Sequence, residues 1–131
     1  MSGKSDIYWQ DWQGTLTVDN MEAVAGLLRH LLEDKRYTHV VCRESEGFKP
    51  EVHASERLYG RIRIQTYGRT IGAIIIRHPG VKETLIYTKT HEEDPDFDSA
   101  HFCFSPDQVT ITQRTEQDRL MYHVFAVEKT D

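Results

Sequence analysis

"ERLYGRIRIQTY", residues 56–67, alternates without a break. Leu58, Ile62 and Ile64 take one parity; Arg57, Tyr59, Arg61, Arg63 and Tyr67 take the other. Side chains of a strand point alternately to its two faces, so this pattern predicts a half-buried antiparallel strand with one apolar and one basic–aromatic face. Its neighbours continue the theme. "TIGAIIIR" (70–77) follows a turn at Gly68, "HPGV" makes the next turn, and "KETLIYTKT" (82–90) returns. These runs predict a three-stranded meander.

Upstream, residues 20–34 carry the chain's helical signal. Met21, Val24, Ala25, Leu28, Leu31 and Leu32 recur every three or four positions and share one face. Asp19, with Glu22 three residues on, suggests a capping box. "GTLTV" before the helix and "YTHVVCR" (37–43) after it read as strands, and Pro50 in "EGFKPEVHA" points to an edge. Downstream, "AHFCF", "VTITQRT" and "RLMYHVFAVEK" read as strands separated by turns at "SPDQ" and "EQD". The last run is apolar at both parities, which places it centrally or beneath another layer. The fold class expected is α+β: one N-terminal helix on a curled, mainly antiparallel sheet of about seven to nine strands. With 131 residues and no linker or repeat, a single domain over 1–131 is expected.

Composition narrows the function. The longest apolar or glycine run, "IGAIII" (71–76), is too short to span a bilayer. The N-terminal stretch "MSGKSDIYWQDWQG" has no apolar core of a signal peptide, so the expected location is the cytoplasm. There Cys42 and Cys103 are expected as free thiols. The net charge of −5 disfavours nucleic acid as partner. It is unevenly spread: residues 61–90 hold six Lys/Arg against one acid, and residues 91–131 hold three against ten.

The boundary falls at "THEEDPDFDSAH" (90–101), where Glu92, Glu93, Asp94, Asp96 and Asp98 crowd into seven positions. A calcium loop opening D-x-D-x-D needs a glycine and a closing glutamate where Ser99 and Ser105 stand, so a solvated connection or a docking surface is the better reading. His101, Cys103 and His123 would suit zinc if they shared a face, but no compact metal spacing occurs. Cys103–His123 and Cys42–His39 are conceivable nucleophile–base pairs. No nucleophile elbow, Walker loop or deaminase signature accompanies them.

No catalytic residue, metal or cofactor is therefore assigned. The expectation is a non-catalytic protein-binding module, an inhibitor or immunity-type protein that neutralises a toxin or a defence system by charge-complementary docking. Its partner-binding residues would be Glu92, Glu93, Asp94, Asp96 and Asp98, facing a basic surface on an enzyme, together with Arg57, Tyr59, Arg61, Arg63 and Tyr67. One alternative is a small-ligand binder or enzyme with a pocket between helix and sheet, lined by Tyr87, Tyr122 or His123. Another is a single-stranded nucleic-acid binder acting through the Arg/Tyr strand face. A homodimer is compatible with the sequence. Trp9 and Trp12, with Tyr8, fit either a lid over the core or an exposed anchor.

Overall fold

The structure, a computed structural model, describes residues 12–44, 50–58, 60–68, 71–80, 82–89, 100–114 and 120–128; for residues 44, 50–58 and 89 it describes the backbone alone. The element order is β1 (Gln13–Thr15), α1 (Met21–Leu32), β2 (Tyr37–Glu44), β3 (Pro50–Leu58), β4 (Arg61–Tyr67), β5 (Ile71–Arg77), β6 (Glu83–Lys89), β7 (His101–Ser105), β8 (Gln108–Arg114) and β9 (Leu120–Val127). The class is α+β with a helix packed on antiparallel sheet, as the periodicities imply.

Where one sheet was expected there are two. Six strands pair in the order β1-β7-β8-β9-β2-β3, and three pair as β4-β5-β6. Every pairing is antiparallel. β9 lies inside the larger sheet between β8 and β2, which accounts for its apolar residues at both parities. β3 is an edge, and Pro50 begins it, where a missing amide donor costs least.

The helix buries Met21, Val24, Ala25, Leu28, Leu31 and Leu32, the six residues its spacing selects. Each fully buried leucine is worth roughly 1.5–3 kcal/mol of transfer free energy. They meet Ile62, Ile74, Ile76 and Ile86 from the small sheet and Phe102, Val109, Ile111 and Phe125 from the large one in one core. Arg29 Nε donates to the Ile62 carbonyl at 3.2 Å and ties the helix to β4.

The expected capping box is not formed. The N-cap is Asn20, and its side chain reaches backward instead of into the first turn. Asn20 Oδ1 accepts from Thr17 N at 2.8 Å, Thr17 Oγ1 accepts from Asn20 N at 3.0 Å, and Asn20 Nδ2 donates to the Thr15 carbonyl at 2.9 Å. These bonds shape the β1–α1 turn rather than the helix end. No described helix is long and apolar enough to cross a membrane.

The two sheets are joined along β6. Gln113 Nε2 of β8 donates to the Leu85 carbonyl at 3.1 Å, and Gln113 Oε1 accepts from Tyr87 N at 3.3 Å. Ala100 N donates to the Tyr87 carbonyl at 3.1 Å, and Thr88 Oγ1 donates to the Leu16 carbonyl at 2.6 Å. A side-chain amide thus occupies backbone groups that a further strand would otherwise take.

Candidate functional site

Register fixes what the small sheet shows to solvent. In an antiparallel pair, directly opposed residues share a face. The outward rows are Arg61–Arg77–Glu83, Arg63–Ile75–Leu85, Gln65–Ala73–Tyr87 and Tyr67–Ile71. The inward rows hold Ile62, Ile64, Ile74, Ile76 and Ile86, which join the core or pack against it. One end of the outward face is basic and the other aromatic and aliphatic.

Tyr67 is 57% exposed, Tyr87 50%, Ile71 38% and Leu85 37%; among the described residues these are the large apolar side chains left open to solvent. All four lie on this single face. Ala73 and Ile75, between them on the central strand, are buried. Arg63 Nη2 lies 3.4 Å from Glu83 Oε2, reaching diagonally across β5. Both groups are solvated, so the pair contributes little to stability, about 0–1 kcal/mol.

The structure brings together only part of the expected Arg/Tyr strip. Arg61, Arg63 and Tyr67 share the outward face of β4. Arg57 belongs to β3 in the other sheet, opposite Thr38, so the continuous strand expected over 56–67 is corrected to two. The chain changes sheet between Leu58 and Arg61. Tyr59 lies outside the described residues, as do Glu92, Glu93, Asp94, Asp96 and Asp98 and also Trp9 and Tyr8. Trp12 is half-buried against Phe104, ring centroids 6.1 Å apart, as one arm of a lid would be.

Parity separates the proposed Cys–His and metal groups. His123 and His39 face the core, while Cys42 is of opposite parity to His39. His101 and Cys103 are exposed and pair with Thr112 and Thr110, away from His123. His101, Cys103 and His123 therefore do not converge, and neither Cys–His pair forms. Both cysteines are free thiols. Among the described residues no three His, Cys, Asp or Glu side chains are placed to hold a metal ion.

A different cluster does form, between the sheets. Tyr37, His39, His78 and His123 are all buried. Tyr37 Oη and His78 Nδ1 are 2.9 Å apart, and His78 Nε2 and Thr84 Oγ1 2.8 Å. His39 Nε2 and His123 Nδ1 are 3.1 Å apart, and His123 Nε2 is 3.4 Å from Gln113 Nε2. The β6 backbone fixes which way Gln113 points, so its amide nitrogen is the donor toward His123 Nε2. His123 then carries its proton on Nδ1 and donates to His39 Nε2.

The His39 ring lies flat on Phe125, centroids 4.1 Å apart, and stacks at 5.5 Å on His78. Burial pushes the His39 imidazole down to about 3, helped by His123 and His78 nearby, and pushes His123 down to about 4 with His78 adding to it. Burial also raises the Tyr37 phenol well above its usual range. Two hydrogen-bonded runs, Thr84–His78–Tyr37 and His39–His123–Gln113, meet where His39 stacks on His78. The cluster reads as a polar core that aligns the two sheets.

One open cleft of about 380 Å³ lies where β4 begins and β5 ends, lined by Asp34, Gly60, Arg61, Arg77, His78 and the Pro79–Gly80 turn. This corrects the expected pocket lining. Tyr87 is on the outward face of the small sheet and His123 is in the core, while Tyr122 is half-buried and of opposite parity to His123.

No family model matches the chain, and no curated protein matches it. Among solved structures it is similar in fold to the crystal structure of Bacillus subtilis YojF protein, with a TM-score of 0.51 and 10% sequence identity, covering 91% of this chain and 96% of that one. That likeness supports the architecture and carries nothing about activity.

Proposed function

We propose that the chain is a non-catalytic protein-binding module, of the inhibitor or immunity type, that works in the cytoplasm by charge-complementary docking. The observation that carries this reading is the outward face of β4–β6. Tyr67, Ile71, Leu85 and Tyr87 are exposed there together, beside Arg61, Arg63 and Arg77. Isolated exposed apolar residues need no explanation, but a contiguous set rimmed by charge marks an interaction surface. Tyr and Arg are also the residues that typically dominate interface energy.

The partner is a protein surface with an apolar centre and carboxylates placed opposite the three arginines. Among the described residues Arg61 and Arg77 make no ion pair, and they add positive charge at the basic end of the face. The acidic stretch Glu92, Glu93, Asp94, Asp96 and Asp98 is the second contact in the proposal, toward a basic surface on an enzyme, and rests on sequence alone. A nucleic-acid partner is the weaker reading, because Glu83 stands on the same face and the chain is acidic overall.

The test is quantitative capture from the native host, comparing wild type with Tyr67→Ser/Tyr87→Ser. Docking through this face predicts a protein partner retained by wild type and lost by the double variant, with unchanged circular dichroism. Retention by both, or retention of an oligothymidylate probe instead of a protein, would overturn it. A concentration-dependent shift in sedimentation abolished by the same substitutions would make the occupant a second copy of this chain.

A further inference from the structure

We infer that the cleft at the end of the small sheet binds a small molecule through an oxyanion, a carboxylate or a phosphate, held between Arg61 and Arg77. The two arginines are directly opposed across the β4–β5 pair. Like charges in that position repel, and sheets normally place a partner between or beside them. The acid closest in register is Glu83, opposite Arg77, but its carboxylate lies against Arg63 at 3.4 Å. Among the described residues neither Arg61 nor Arg77 makes an ion pair. Two arginines therefore line one cleft, where Asp34 is the carboxylate among the described residues.

The rest of the lining is built rather than incidental. His78 is 4% exposed, and its two ring nitrogens are engaged by Tyr37 and Thr84, so it supplies a fixed wall. Gly60 packs on the Tyr37 hydroxyl so closely that a Cβ would collide with it. Gly80 lines the cleft at φ 86°, a left-handed conformation that glycine adopts without strain. The volume, about 380 Å³, is near the lower end for small-molecule sites. Guanidinium forks match carboxylate and phosphate oxygens bidentately, and Asp34 leaves room for a hydroxyl or amine on the same ligand.

This inference goes beyond the docking proposal and needs no macromolecular partner. It is tested by 1H–15N NMR on the full chain, titrated separately with inorganic phosphate and with acetate at constant ionic strength set by sodium chloride. The expected result is saturable movement of the Arg61 and Arg77 Nε–H signals and of the Gly60 and Gly80 amides with at least one anion. The anion that saturates identifies the ligand class. Arg61→Gln/Arg77→Gln should weaken that binding by about tenfold or more, and Arg43→Gln on the large sheet should leave it unchanged. Shifts no larger than those of chloride, or equal in the double variant, would overturn the inference. Tyr67 and Tyr87 lie outside the cleft, so such a result leaves the docking proposal standing.

Discussion

His39 shows how one position can be readable in direction and unreadable in company. Its parity with Tyr37 in "YTHVVCR" sends it inward, and alternation alone says so. Nothing local says that His78 and His123, 39 and 84 positions further on, will meet it. The consequence is a stability that depends on pH. Both His39 and His123 have folded-state values lowered below the ordinary imidazole value of 6.5. Between those lowered values and about 6.5 the unfolded chain binds more protons, so stability falls as pH drops through that window. Each group contributes at most about 1.4 kcal/mol per pH unit there. Urea denaturation at a series of pH values should show the slope, and His39→Leu should flatten it; equal slopes in the two proteins would remove His39 from the account.

Two glycines offer a sharper contrast. A Cβ on Gly60 would strike the Tyr37 hydroxyl, which His78 holds, whereas one on Gly72 would strike the flexible end of Met21. Gly60→Ala should cost about 1–3 kcal/mol by overpacking and Gly72→Ala distinctly less, as chemical denaturation would measure.

At the scale of elements, helix α1 was legible because burial on one side imposes three- and four-residue spacing, and all six spaced residues are buried. Its cap was not, because Asn20 and Thr17 satisfy each other rather than the first turn. The break between β3 and β4 was invisible for a related reason. Leu58, Gly60 and Ile62 keep the same parity straight through it, so alternation continues while the chain changes sheet. Gly60 was the local hint, since a residue without a Cβ inside an alternating run marks a close approach or a bend.

One side chain holds two of the β6 edge groups. Gln113 bonds both Leu85 O and Tyr87 N, and replacing it with Leu leaves those groups to solvent. A loss of about 1 kcal/mol and faster hydrogen exchange at the Tyr87 amide are expected. Unaltered exchange there would show that Gln113 does not seal the edge.

For the molecule as a whole, the fold class was readable, and the partition into two sheets was not. Strand identity comes from local alternation, but which strands pair is decided by the shared core, where Ile62 and Ile86 of one sheet meet Phe102 and Phe125 of the other across α1. The candidate face divided the same way. Arg61, Arg63 and Tyr67 could be read from β4 alone, while Ile71, Leu85 and Tyr87 join them only through register. Tyr67 and Tyr87 stand outside the core, so Tyr67→Ser and Tyr87→Ser should each cost no more than a cross-strand pair contributes, about 1 kcal/mol, measurable by thermal melting.

Recognition and folding are thus separable here, and that separation gives the most direct measurement. The partner captured by wild type should be titrated by calorimetry against wild type, Arg63→Ser/Tyr67→Ser/Tyr87→Ser, and a control altered on the large sheet at Thr112→Ser. Docking through the β4–β6 face predicts affinity reduced by about a hundredfold or more in the triple variant and preserved in the control. Equal affinity in all three proteins would contradict it.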